Sequence, residues 1–380
     1  MTGRNVRRYN YNHGRYGRSA TWQRRLACIH WLPGEVRTPL DFRTLHSFLA
    51  SVFLAASLLT IGCESRPPAD IRLTTDSSGN TISAVLIGPN VRDADLASLV
   101  KYTGLQDLHL QECSQITDAG LAKLTDLSSR LTKLSLIRIP VSDAGMKFLA
   151  NARTLKDLTL AHTNVSGSGL QHLANSPLAR LSLQSRSVKA DALAELSKLA
   201  GLEELELQCQ DITLGSLPIL GSLKKMTSLV AFRTPVGKGG LESLRGLSQL
   251  RKLILSSSEI DDESIDAINS LSGLEEVEFA TASITNEGLK KIKLPKLRDL
   301  SLDTCVNITD EGLANLTGMP ELERLMLGGT SVQGKDLTPL AVLRKLKIVL
   351  LKASQFKGND QSIQNLQGRL PECQVSIMRG

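Results

Sequence analysis

The sequence predicts an α/β solenoid: about twelve stacked repeats, with a parallel sheet along one face and short helices along the other. Three observations carry that prediction. The frame L-x-x-L-x-L recurs, with first positions running from Ile82 to Leu346 at intervals of 23 to 26 residues. Most frames are followed by an apolar residue, such as Val165, Ile212, Ile260 or Ile308, and then by a short helical-period segment such as GLANL. Aromatic residues make up only 3% of the chain, few for a compact enzyme core but ordinary for one of stacked leucines.

Ahead of the repeats the composition is different. Residues 1–63 hold nine arginines against Glu35 and Asp41, so the whole-chain charge of +7 belongs to them, and the rest carries 36 bases and 36 acids. An electroneutral body gives no reason to expect a nucleic-acid groove. Residues 1–43 also contain both tryptophans and three of the four tyrosines. Such a segment is either a disordered arm that binds RNA by charge and stacking, in an intracellular protein, or it lies upstream of the true translation start. We favour the second reading, with a non-Met start near Val36 or Leu40, because the next methionine, Met146, falls inside the repeats.

Phe48 to Gly62, FLASVFLAASLLTIG, is an uncharged run of 15 residues, short for a bilayer span and suited to the apolar core of a secretory signal. Its end, LLTIGC, resembles the lipobox of bacterial lipoproteins, in which the cysteine is lipidated and becomes the mature N-terminus. Gly62 and Cys63 match that motif, whereas Thr60 and Ile61 stand where Leu and a small residue are usual. The resemblance implies an exported protein anchored to the membrane of a bacterial cell envelope through Cys63. The expected organisation is thus a leader over 1–43, a signal-like segment over 44–63, a tether over 64–71 and the repeat domain over 72–380.

Within the repeats, ITDAGLAKL (Ile116–Leu124) returns as ITNEGLKKI (Ile284–Ile292) and ITDEGLANL (Ile308–Leu316). An aspartate beside a threonine and near a glycine suggests a site, but the position, just after each strand frame, suggests a part. Thr117 or Asp118 should cap the following helix, and Gly120 should let that helix sit close to its neighbour. The array should be closed by a hairpin over IRLTTDSSGNTISAVLI, with SSGN as its turn, and by a last strand in LPECQVSIM after the helical DQSIQNLQGRL.

The twelve frames resemble the leucine-rich repeat family, from about residue 72 to the C-terminus. LQDLHLQECSQITDAGL and LRDLSLDTCVNITDEGL are similar to its cysteine-containing subclass, found in F-box proteins and in stand-alone bacterial envelope proteins. The resemblance implies a right-handed arc with the sheet on its concave face. It places Cys113 and Cys305 where the family has Asn or Cys facing the turn, with Thr163, Thr234, Ser258 and Thr330 filling that place elsewhere. About eight repeats apart, these two cysteines are too distant to bridge.

No zinc spacing joins the six cysteines, VGKGG at Val236 to Gly240 lacks the frame of a phosphate loop, and His109, His162 and His172 have no spaced partner. No catalytic, metal or cofactor site is therefore expected. The sequons at Asn164, Asn307 and Asn315 would go unused in a bacterial lipoprotein. The expectation is a monomeric, non-enzymatic scaffold for an unidentified protein or peptide, with no nucleic acid; the alternative by resemblance is the substrate-recognition arm of an F-box or ubiquitin-ligase-like complex. Strand alternation puts His109, Ser135, Thr159, Ser182, Glu206, Val230, Ile254, Glu278, Ser301 and Met326 in one column of the concave face. The candidate binding patch is Val230 and Ile254 with Phe232 on the adjoining column, bordered by Glu206 and Glu278, with Arg233 and Arg251 between.

Overall fold

A computed structural model of the chain describes residues 69–378 except 191, 213–217, 236–239, 258 and 359. The leader, Cys28, Cys63, Val236 and Ser258 lie outside the described residues. One sheet runs in strict sequence order. Its strands are β1 (Asp70–Thr75), β2 (Thr81–Ile87), β3 (Asp107–Gln111), β4 (Lys133–Ile137), β5 (Asp157–Ala161), β6 (Arg180–Gln184) and β7 (Glu204–Gln208). It continues through β8 (Ser228–Ala231), β9 (Lys252–Ser256), β10 (Glu276–Ala280), β11 (Asp299–Ser301), β12 (Arg324–Met326), β13 (Ile348–Lys352) and β14 (Gln374–Met378).

The hairpin at the N-terminal end is antiparallel, β1 on β2, and every later pair is parallel. Asp76 nucleates its turn by accepting the N–H groups of Ser78 and Asn80, both at 2.9 Å, while Gly79 takes φ +81°. β1 begins at Asp70, ahead of the expected boundary at 72, because Asp70 and Ile71 pair with Ile87 and Leu86. β14 closes the other end after a helix over Asp360–Arg369.

Period-2 alternation explains the core. In β3, Leu108 and Leu110 are buried while Asp107, His109 and Gln111 lie half-buried on the open face. Every later strand from β4 to β13 stacks its apolar positions on these, so that Leu136, Leu207, Leu255, Phe279 and Leu325 are all fully enclosed. The return segments differ from expectation. Short α-helices occur at α1 (Asp93–Ala97), α2 (Asp118–Ala122), α3 (Thr125–Ser128), α4 (Ile265–Asn269) and α5 (Asn286–Lys291), with the capping helix as α6; most other repeats return through 3₁₀ turns. A repeat of about 24 residues leaves too few for a self-supporting α-helix, and the 3₁₀ form covers more length per residue.

Candidate binding surface

The nonamer is built into the joint between repeats. Thr117 is the N-cap of α2 and accepts from the Gly120 N–H at 3.3 Å. Asp118 does not cap its own helix. Its carboxylate reaches the next repeat and accepts the Ser142 N–H at 2.8 Å and the Ser142 hydroxyl at 2.6 Å. The same clasp joins Asp93 to Thr117 and Asp262 to Thr285, each at 2.8 and 2.6 Å. In one joint Asn286 replaces the acid, accepting from the Thr309 N–H at 3.1 Å and donating to its hydroxyl at 2.8 Å. The glycine is required by this packing. A methyl group at Gly120, Gly145 or Gly288 would overlap the carboxylate of Asp93, Asp118 or Asp262 from the preceding repeat.

A second ladder runs beneath the turns. The thiols of Cys113, Cys209 and Cys305 donate to the carbonyls of Leu86, Leu183 and Phe279 in the preceding repeats, at 3.5, 3.7 and 2.9 Å. Thr234 and Ser185 donate to Leu207 and Thr163 at 3.4 and 3.0 Å. Cys209 and Ser185 are additions to the expected set. They stand one residue nearer their strand than Cys113 does, so a fixed count along the frame passed over them. Ser257, adjacent to the expected Ser258, is buried in the corresponding repeat.

Burial pushes the thiols of Cys113, Cys209 and Cys373 up to about 11 and that of Cys305 to about 12, far from the thiolate a nucleophile needs. The sequon amides are engaged as well: Asn164, Asn307 and Asn315 donate to the carbonyls of Pro140, Ser283 and Asn286. His109 lies 3.2 Å from the Gln111 side chain. Among the described residues, no group of three or more His, Cys, Asp or Glu is placed to hold a metal ion.

The open-face column falls in register as expected, His109 to Ser135 to Thr159 to Ser182 to Glu206 to Val230 to Ile254 to Glu278 to Ser301 to Met326. Exposure along it is uneven. Ile254 is only 2% exposed, between Val230 and Glu278, so it forms a floor and not a contact surface. Val230 and Phe232 are half-buried, and Arg233 is exposed with a left-handed φ of 49°. That conformation recurs in the turns leaving the strands, at Glu112, Arg138, His162, Thr281 and Thr304, and Gly88 and Gly329 take it at the places that strand register makes equivalent. Those two glycines were the one sequence clue to it.

The charges around the patch are largely paired. Arg251 meets Glu275 at 3.6 Å and Lys252 meets Glu276 at 2.8 Å, while Glu206 accepts from Ser182 and Gln184, both at 3.0 Å. Beside Arg233 an open groove of about 380 Å³ is lined by Pro235, Ser256, Ser257, Glu259 and Thr281.

The chain is similar to the crystal structure of an internalin (inlF) from Listeria monocytogenes, at TM-score 0.52 and 20% sequence identity over 79% of this chain and 90% of that one. It is also similar to a chain of the yeast Rad7 and Elc1 complex, at TM-score 0.50 and 20% identity over 76% of this chain and 79% of that one. Both are leucine-rich repeat proteins. The fold is the leucine-rich repeat. No protein-family model and no curated protein matches the chain. Within that fold, the clasp and the thiol ladder are joints between successive repeats.

Proposed function

We propose that this leucine-rich repeat chain is a non-enzymatic scaffold that holds a protein or peptide segment on the open face around β8 to β10. We further propose that it is exported and held at a bacterial cell envelope through a lipidated Cys63. The observation that supports the first part is the meeting of half-buried Val230 and Phe232 with the groove beside Arg233, in a column that is polar on both sides. An apolar side chain laid on Val230 and Phe232 loses water, while Arg233 and Glu259 at the groove offer charge to the flanking backbone and side chains.

A photo-crosslinking residue placed at Phe232 should capture a partner that the same residue at Ala314, exposed on a return segment, does not. Phe232→Asp should leave the far-UV spectrum unchanged and abolish binding of that partner; retained binding would move the site elsewhere. For the anchor, the support is the LLTIGC motif and the few residues of sequence between Cys63 and the first residue of β1, Asp70. Cys63→Ser should release the full chain from the membrane fraction of a bacterial host. A variant still in the pellet would favour an uncleaved apolar anchor.

A further inference from the structure

The neutral composition of the body hides a segregation of charge. Because β2 to β14 run parallel, every turn entering a strand lies on one rim of the sheet and every turn leaving a strand lies on the other. The entering turns before β8, β11 and β13 carry Lys225, Lys293, Lys296 and Arg344, with Lys290 and Lys291 closing α5. All six are exposed, and among the described residues none of them forms an ion pair. The leaving turns after β9 and β11 carry the opposite sign, with Asp261, Asp262 and Glu263 in the first and Asp310 and Glu311 in the second.

At a strand spacing of ~4.8 Å, β8 to β13 spans about 24 Å, and neighbouring cations lie within about one to two Debye lengths, so their fields add. An apolar group accompanies them. Val342, 50% exposed, ends the 3₁₀ turn Thr338–Val342 two residues ahead of Arg344. Unpaired lysines beside an exposed aliphatic side chain suit the boundary between lipid headgroups and acyl chains.

We propose that this basic rim docks on an anionic lipid surface, with the acidic rim turned away. A phosphate backbone shares the charge chemistry, but the rim has no base-stacking platform. Between residues 224 and 345 the only aromatics are Phe232, which follows β8 on the opposite rim, and the buried Phe279. Docking by the rim leaves the open face of the sheet accessible, and it does not depend on acylation of Cys63.

The test is lysine footprinting of the full-length Cys63→Ser chain with an amine-acylating reagent, read residue by residue by mass spectrometry. Vesicles containing phosphatidylglycerol should protect Lys290, Lys291, Lys293 and Lys296 at least about fivefold, with Lys335 and Lys357 on the other rim unchanged. Neutral vesicles should protect neither rim, and 0.5 M salt should remove the effect, on the order expected for screened surface charge. Replacing the four lysines by Gln should lower partitioning onto the anionic vesicles by nearly three orders of magnitude, at about fivefold per lysine. Equal protection of both rims, or protection by single-stranded RNA and not by anionic vesicles, would overturn the proposal.

Discussion

Asp118 and Ser142 stand one repeat apart in the chain, and the carboxylate of the first accepts both the backbone N–H and the hydroxyl of the second. The pair closes the edge of the stack at a point where a return segment begins and its N–H groups have no partner of their own. Repetition of this clasp at Asp93 and Asp262 makes it a structural joint. It also explains why an acidic, threonine-bearing motif recurs without being a site.

Removing one clasp should therefore be felt as lost stability. Asp118→Ala should destabilise the array by about 1–2 kcal/mol, since a half-buried hydrogen-bonded N–H loses its acceptor. Asp118→Asn should cost less, because Asn286 already serves the Thr309 joint as an amide. Urea unfolding of the three proteins under identical conditions gives the order; an Asn variant as weak as the Ala variant would contradict it.

The glycine of the motif should be coupled to the aspartate one repeat earlier. Gly120→Ala pushes a methyl into the Asp93 carboxylate and should destabilise by about 1–3 kcal/mol. In an Asp93→Ala background the same change should cost distinctly less, since the overlapping atoms are gone. A double-mutant cycle measures that coupling, and strict additivity would show the glycine to be needed for another reason.

Leu255, at the centre of the stack, is fully buried. Leu255→Ala should lower stability by about 2–5 kcal/mol, the transfer loss plus the cavity left between two neighbouring repeats. Chemical denaturation checks it.

The buried cysteines should be silent until the array opens. Cys113, Cys209, Cys305 and Cys373 should react with an aromatic disulfide reagent at pH 8 only after denaturant is added. Their folded pKa values lie above the ordinary 9.0 because burial penalises the thiolate, so the native state holds these protons more tightly. Their contribution to stability is complete below pH ~9 and is lost as pH rises toward about 11 to 12. Ser or Ala in place of Cys305 should flatten that alkaline decline.

How much of this was legible beforehand differs by level. From β3 onward the strands and their register, with the hairpin at Asp76 and the closing strand at Gln374, could be read from the sequence, because alternation along a strand is local and a fixed repeat length aligns each frame with the next. The first frame, read from Ile82, is one residue late: Ala84 and Leu86 are the buried pair and fall in register with Leu108 and Leu110, while Val85 shares the open face with His109. Thr117 as a helix cap was equally local. The partner of Asp118 was not, since Ser142 meets it only when one repeat is laid on another. The same holds for Ile254, whose place on the open face follows from period 2 but whose near-complete burial between Val230 and Glu278 does not. Composition could not reveal the basic rim either: 36 bases and 36 acids cancel in a total, and it is the parallel direction of every strand that sorts Lys296 to one edge and Asp310 to the other. Sequence thus determined which residues face inward; stacking decided which of the rest would meet, because those contacts join residues about a repeat apart that only the folded array brings within hydrogen-bonding range.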